Sequence, residues 1–379
     1  MKLNFDINRP YALALEGGGA KGAYQIGVWK ALQEAGVRFS AVSGSSVGSL
    51  NGALIMMGDV QHAVDVWENI TYSKIMDIDD ALMHSALHLD WKNLNLKELF
   101  QNGARILRDG GMDVEPLRRL IADTVDEEAI RNSDTEFYVM TYSVTDRKEL
   151  DVDMKKVPAG EMGDMLLASA YFPAFKHEKL GGKLYTDGGV QDLVPLDCLI
   201  KRGYPDIIVV RIFGLGVEKK VVIPEETTVN TIAPRVNLGP VLDFDPAQSK
   251  RNLQLGYYDG LRFLYGLTGR DYYFDRNLTE QEAFGMLCEI IRSRSLFLKK
   301  EPPALRRLTD KILPALAREL SLPAGADYNE FLETFLESSA RELGLPQFQV
   351  VTERLMLEQI YGALASRKRE DLPKFMNIL

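Results

Sequence analysis

At residues 39–53 the chain reads FSAVSGSSVGSLNGA, the pattern of a strand that turns sharply into a helix. Within this stretch only Ser46 has a glycine both two residues before it and two residues after it, Gly44 and Gly48, which makes a G-x-S-x-G nucleophile elbow. Flanking side chains would obstruct so sharp a turn, and glycines remove them. The pattern predicts a strand over 39–42, a helix over 47–57, and Ser46 at the helix N-terminus, where free N–H groups favour negative charge.

A glycine-rich loop follows the preceding predicted strand. Residues 11–15 are apolar, Gly17, Gly18 and Gly19 come next, and a helical pattern extends over 23–35. Two consecutive strand–helix units with right-handed crossovers place their strands in parallel, so both loops are expected at the same edge of the sheet. Acyl transfer through a serine develops an oxyanion that needs N–H donors about 3 Å away. The three glycines could supply these donors beside Ser46.

The same loop also matches a dinucleotide-binding fingerprint. Gly17, Gly19 and Gly22 have the G-x-G-x-x-G spacing between a strand and a helix. That fingerprint expects an acidic residue about 20 positions further on, at the end of the second strand, to bind a ribose hydroxyl. The second strand leads instead into Ser46, and Glu34 falls earlier, within the first helix. The missing ribose partner makes dinucleotide binding the weaker alternative.

A candidate base for Ser46 is Asp187, which follows a short predicted strand over 184–186 and precedes two glycines. α/β-Hydrolases order their triad as serine, acid, histidine. That order is impossible with Asp187, because all four histidines precede it: His62, His84, His88 and His177. His177 could act in another arrangement, but its alternation with Phe175 in a short predicted strand favours a structural role. A Ser46–Asp187 dyad is the remaining economical arrangement, and it needs a close hydrogen bond between the two side chains.

Composition bounds the class of protein. The 379 residues include 45 basic and 54 acidic ones, a net charge of −9, which disfavours nucleic acid as a partner. The two cysteines, Cys198 and Cys288, are far apart, which argues against a disulfide framework or a zinc site. No signal peptide and no membrane-spanning stretch is visible. We therefore predict a cytoplasmic protein, with peripheral membrane association as an alternative.

The chain is predicted to have two main parts. Residues 214–246 carry several prolines and little periodicity, which indicates a connecting segment, and residues 247–379 read as successive helices. The apolar residues of 59–110 predict either helices that cover the sheet or, less favoured, a mobile lid that meets lipid. Basic clusters are typical of solvated helix faces but could also contact an acidic membrane; they occur at 292–300, 306–307 and 367–369.

Taken together, these motifs resemble the patatin-like phospholipase family. That family has a glycine-rich loop followed by a basic residue, a G-x-S-x-G serine, a small-residue segment that leads to a proline, and an Asp-Gly-Gly or Asp-Gly-Ala motif. All four appear here in family order, at Gly17 to Gly22, Gly44 to Gly48, Ser169 to Pro173, and Asp187 to Gly189. One departure is Leu193, which precedes Val194-Pro195 where the family often has an asparagine; it concerns local loop bonding more than the chemistry.

The resemblance covers about residues 8–213. It implies a patatin-like α/β fold of three layers, α/β/α, with a mainly parallel central sheet. It also implies Ser46 as nucleophile, Asp187 as base, and the N–H groups of Gly17, Gly18 and Gly19 as the oxyanion hole. The supporting motif positions are Lys21, Gly22, Gly44, Gly48, Pro173, Gly188 and Gly189. The implied activity is hydrolysis of a lipid acyl ester through an acyl-enzyme, with no cofactor and no metal.

Two other classes of function remain alternatives to the lipid acyl hydrolase. One is a non-catalytic lipid- or protein-interaction module on a hydrolase fold, which the intact serine, aspartate and glycine loop disfavour. The other is the dinucleotide-binding protein. The sequence does not select among phospholipids, glycerides and small esters, and it predicts no oligomeric state.

Overall fold

A computed structural model describes residues 1–87, 111–176, 178–297 and 303–365. By its contacts the chain divides into two compact units. The larger unit is Phe5–Leu264, and the smaller one combines Met1–Asn4 with Tyr265–Leu379.

A seven-stranded sheet is the centre of the larger unit. Its order is β4-β3-β2-β1-β6-β7, and β5 pairs with β3 off this path. Four of the six strand pairs are parallel, and β3 pairs antiparallel with both β4 and β5. The predicted mainly parallel sheet is therefore confirmed. The strands are β1 (Pro10–Leu15), β2 (Arg38–Ser45), β3 (Glu136–Ser143), β4 (Lys148–Asp153), β5 (Tyr185–Asp187), β6 (Asp206–Val210) and β7 (Thr228–Ile232).

Helices lie on both faces of this sheet. Gly52 of one helix contacts Phe137 and Val42 on one face. On the other face, Leu199 of another helix is buried in a cluster with Ala12. This gives the three layers that the family resemblance implies. The helices of the larger unit are α1 (Ala23–Glu34), α2 (Val47–Met57), α3 (Val60–Glu68), α4 (Tyr72–Ile75), α5 (Asp80–Leu87), α6 (Glu115–Thr124), α7 (Glu127–Asn132), α8 (Met162–Ser169), α9 (Leu196–Lys201) and α10 (Pro246–Tyr265).

Two segments of the larger unit differ from their local predictions. Residues 214–246, predicted as a connection, contain β7, which extends the sheet beside β6. The compact unit also continues past 213 to Leu264, because the buried hydroxyl of Tyr24 on α1 donates to Asp259 on α10 at 2.8 Å. The strand predicted at 175–178 is absent from the described residues there; Phe175 makes only an isolated bridge to Met112.

The smaller unit is helical, as predicted for the C-terminal region. Its own apolar core includes Leu287, Leu316, Leu332, Phe335 and Met356, all nearly inaccessible to solvent. Its elements are β8 (Tyr273–Phe274), α11 (Glu280–Phe297), α12 (Leu305–Arg307), a π-helical turn (Leu308–Ile312), α13 (Leu313–Glu319), α14 (Tyr328–Leu343), β9 (Val350–Val351) and α15 (Glu353–Ala365).

Among the described residues, none of the helices combines the length and the apolar character that crossing a membrane requires. Of the segment predicted as covering helices or a lid, residues 59–87 contain α3, α4 and α5, and residues 88–110 lie outside the described residues. The same is true of the basic residues at 299–300 and 367–369, whereas Arg306 and Arg307 are exposed on α12.

Candidate active site

Ser46 stands in a strained turn between β2 and α2. Its φ of 54° and ψ of −127° lie in a region that residues other than glycine rarely adopt. A Cβ on Gly44 would lie 2.3 Å from the carbonyl oxygen of Gly48, and one on Gly48 would lie 2.2 Å from the carbonyl oxygen of Leu15. Both glycines of the motif are therefore required by close backbone approach, and the serine side chain is held out of the turn.

The register of β3 brings Ser46 and Asp187 together. Strand β2 ends with Ser45 opposite Met140, and β5 ends with Asp187 opposite Thr141, the next residue of the same strand. The two strand ends therefore meet beside β3. The hydroxyl of Ser46 donates to Oδ2 of Asp187 at 2.5 Å. The other carboxylate oxygen accepts the N–H of Gly189 at 2.8 Å, which fixes the orientation of the carboxylate.

Burial changes the acidity of this carboxyl group. It raises the pKa of Asp187 from 3.8 to about 6, while the hydrogen bonds from Ser46 and Gly189 oppose the rise. A carboxylate with this pKa is a stronger base than an ordinary aspartate, yet it is still mostly ionised at neutral pH. The pair can therefore move a proton from the serine hydroxyl to the carboxylate.

The glycine loop forms part of the wall beside Ser46 and Asp187. Gly18 and Gly19 line one pocket together with Ser46 and Asp187, and neither N–H forms a hydrogen bond within the described part of the chain. The N–H of Gly17 instead donates to the carbonyl oxygen of Leu193 at 2.9 Å. This differs from the prediction that all three N–H groups form the oxyanion hole, because Gly17 already has a backbone acceptor.

Two charged side chains hold the glycine loop against residues 211–214. Lys21 donates to the carbonyl oxygen of Phe213 at 2.6 Å. The fully buried carboxylate of Glu16 accepts Nε of Arg211 at 2.9 Å and the backbone N–H groups of Ile212 at 2.6 Å and Phe213 at 3.0 Å. Glu16 is not among the site residues predicted from the sequence. An ionisable residue directly between an apolar strand and the glycine loop was the available signal.

Ser169 holds the backbone of Ser46 in place. Its hydroxyl accepts the N–H of Ser46 at 3.0 Å and donates to the carbonyl oxygen of Met140 at 2.5 Å. The side chain is fully buried at the end of α8. From the sequence, Ser169 is predicted only as the start of a small-residue segment, so its contact with Ser46 is a further residue role that the motifs do not predict.

The remaining motif residues surround these groups. Gly22 immediately precedes α1, and Gly188 and Gly189 form a 3₁₀ turn directly after Asp187. Pro173 lines the same pocket as Ser46.

That pocket is an apolar cavity of about 290 Å³, near the lower end of the range for small-molecule sites. Ser46 and Asp187 supply polar groups in a wall that is otherwise mainly aliphatic and aromatic. Its apolar lining includes Leu50, Leu54, Ile70, Leu117, Ile121, Val241 and Phe244. A hydrocarbon chain matches such a lining better than a charged or strongly hydrated ligand does.

The histidines of the described chain lie elsewhere. His62 forms a hydrogen bond with the carbonyl oxygen of Thr124 at 2.9 Å, and His84 lies 3.9 Å from Asp245. Neither lines the pocket. His88 and His177 lie outside the described residues. Within the described ranges no group of three or more histidine, cysteine or acidic side chains could hold a metal ion.

Comparison with known proteins yields several short matches. A segment of 46 residues is 52% identical to lysophospholipase nte1 of Aspergillus terreus and covers 12% of this chain and 3% of that protein. A segment of 105 residues is 35% identical to patatin-like phospholipase domain-containing protein ZK370.4 of Caenorhabditis elegans and covers 26% of this chain and 8% of that protein. The matches thus span less than a tenth of the length of these relatives.

Among solved structures, VipD from Legionella pneumophila is similar with a TM-score of 0.43 and 15% sequence identity, over 97% of this chain and 89% of that one. The family model described as Patatin-like phospholipase matches residues 13–200. This range includes the glycine loop, the elbow and Asp187. The resemblance to the patatin-like phospholipase family that the motifs indicate is therefore confirmed over residues 13–200.

Proposed function

We propose that this protein hydrolyses carboxylic esters of lipids, with Ser46 as nucleophile and Asp187 as general base. The observation that carries the proposal is the 2.5 Å hydrogen bond between these side chains at an apolar pocket, with Ser46 in a strained elbow. The N–H groups of Gly18 and Gly19 are proposed as the oxyanion hole. All of these groups lie within residues 8–213, the predicted catalytic domain.

The first half of the proposed reaction forms an acyl-enzyme. Asp187 accepts the hydroxyl proton of Ser46 while Oγ attacks the ester carbonyl carbon. The N–H groups of Gly18 and Gly19 stabilise the negative charge that develops on the carbonyl oxygen. When the tetrahedral intermediate collapses, the bond to the leaving oxygen breaks, and the proton on Asp187 passes to that oxygen.

The second half releases the acid. Asp187 takes a proton from water, and the resulting hydroxide attacks the acyl carbonyl carbon. Collapse of this second intermediate breaks the bond to Ser46 Oγ, which regains its proton from Asp187. The products are a free carboxylic acid and the unmodified serine, so the cycle consumes only ester and water.

Lipid is the favoured substrate class for two reasons. The aliphatic lining of the pocket would take up the acyl chain and remove its apolar surface from water. The family match and the lysophospholipase among the curated relatives point to the same class. The volume of about 290 Å³ favours one acyl chain in this pocket over two.

The test is covalent labelling with a fluorophosphonate probe, followed by peptide mapping and by turnover of a lipid ester. We expect labelling at Ser46 in the parent protein and none in Ser46→Ala. Asp187→Asn should slow labelling and turnover by at least about a hundredfold, in the range of a lost general base. Ser45→Ala is the matched control, because its hydroxyl is buried beside Ser46 and has no hydrogen-bond partner within the described chain.

Loss of labelling in Ser45→Ala, or its retention in Ser46→Ala, would assign the nucleophile elsewhere. Full activity of Asp187→Asn would remove the aspartate from the mechanism. A folded protein that neither labels nor turns over esters, even with lipid present, would favour the non-catalytic interaction module.

A further inference from the structure

Exposed apolar side chains concentrate in one segment of the larger unit, Phe213–Ile223, which we call the rim segment. Five of the eleven large hydrophobic residues that are exposed in the described chain belong to it. The most exposed are Val222 at 87% and Leu215 at 80% of their full accessible surface. A concentration of exposed apolar side chains is typical of surfaces that bind a partner or a membrane.

The rim segment is continuous with the pocket of the candidate active site. Leu215 and Gly216 line that pocket, although Leu215 is largely open to solvent. Phe172, which is 38% exposed, also lines it. Leu215 and Phe172 therefore belong both to the wall of the cavity beside Ser46 and to the exposed surface of the protein.

Val217, in the middle of the rim segment, is hydrogen-bonded to two residues that follow Asp187 in the chain. The N–H of Val217 donates to the carbonyl oxygen of Gly189 at 2.9 Å, and the carbonyl oxygen of Val217 accepts the N–H of Leu193 at 2.8 Å. These two backbone hydrogen bonds fix the position of the rim segment close to Asp187.

Two of the three charged side chains of the rim segment, Glu218 and Lys219, are paired, and the third, Lys220, is exposed. Arg211 forms hydrogen bonds to both carboxylate oxygens of Glu218, at 2.8 and 3.0 Å. Lys219 is bonded to Glu149. The pairing leaves five exposed apolar side chains and one exposed cation, Lys220, in this segment, which suits a lipid surface better than a strongly charged partner.

We propose that the rim segment docks the protein on a lipid–water interface and brings the mouth of the pocket to it. This inference rests on the proposed function, because a lipid surface is where a long-chain acyl ester is found. An acyl chain passing from the lipid layer to Ser46 would then enter the pocket beside Leu215 and Phe172, and burial of the rim residues would supply the binding free energy.

The test compares Val222→Ser/Ile223→Ser with the parent protein by flotation with phosphatidylcholine vesicles. Neither residue lines the pocket, so hydrolysis of a monomeric, water-soluble ester should stay unchanged. We expect vesicle partitioning to fall by about tenfold or more, a modest part of what full burial of two aliphatic side chains provides. The matched control is Leu305→Ser/Leu355→Ser, which removes two exposed leucines of the smaller unit and should leave partitioning as it is.

Equal partitioning of the rim variant and the parent would overturn the proposal, and so would an equal loss in the control variant. A parent protein that self-associates through the rim without binding vesicles would assign the surface to a second copy. The experiment also distinguishes failure of the docking proposal from failure of the proposed enzyme function. Vesicle binding without ester hydrolysis would reject the enzyme and keep the docking surface, and hydrolysis of soluble ester without rim-dependent binding would do the reverse.

Discussion

Activity should depend on pH through Asp187, because only its ionised form can accept the proton of Ser46. Burial raises the pKa of this carboxyl group to about 6. With that pKa, about one part in eleven is ionised at pH 5, so kcat/KM should fall to about a tenth of its plateau value. With the ordinary value of 3.8, the loss at pH 5 would be only about 6%.

Stability must be separated from activity in this experiment. The folded-state pKa of Asp187 lies above its unfolded value, so ionisation of this group costs stability, by about 3 kcal/mol when the cost is complete. That cost is fully present above about pH 6 and is relieved as the pH falls toward 3.8. Acidification from pH 8 to 5 therefore does not destabilise the fold through Asp187, and an activity loss over this range reports the chemistry.

The assay is kcat/KM for a water-soluble ester between pH 4.5 and 8.5, with circular dichroism at each pH to establish that the protein stays folded. Asp192 is the necessary control, since burial also raises its pKa to about 6. Asp192→Asn should keep the profile of the parent. A profile that is flat down to pH 5, or one that moves when Asp192 is replaced, would refute the assignment of the base to Asp187.

Three substitutions test the residues that hold Ser46 and the glycine loop in position. Gly44→Ala places a Cβ 2.3 Å from the carbonyl oxygen of Gly48, so the free energy of unfolding in urea should fall by at least about 2 kcal/mol; an unchanged midpoint would contradict this. Ser169→Ala leaves the Ser46 N–H without its acceptor, which should cost about 1–3 kcal/mol and slow fluorophosphonate labelling, and labelling at the parental rate would exclude a positioning role. Glu16→Gln removes a buried charge that binds three consecutive N–H groups; we expect a loss of about 3 kcal/mol and a lower kcat, whereas parental values for both would show that the loop is held by other contacts.

Local patterns in the sequence were sufficient to predict the two strand–loop–helix units and the parallel sheet. Glycines flank Ser46 because side chains at these positions would collide with nearby backbone atoms. At Gly44, for example, a Cβ would lie 2.3 Å from the carbonyl oxygen of Gly48. The prediction of a connecting segment over 214–246 was less accurate, because this range contains a strand of the sheet. Its strand β7 is a short edge strand, half exposed, and carries little apolar periodicity of its own.

By itself, the sequence determined the residue types of the candidate site and their order, because an elbow, a glycine loop and an Asp-Gly-Gly turn are encoded locally. Only the tertiary structure decided which atoms meet. Ser46 and Asp187 are 141 residues apart in the chain. They meet because β2 and β5 end beside consecutive residues of β3. The same dependence on tertiary structure holds for Gly17, whose N–H is taken by the distant Leu193, and for Glu16 and Ser169, whose partners lie on other strands and loops. These long-range hydrogen bonds follow from packing of the whole sheet, so they cannot be predicted from a local sequence pattern.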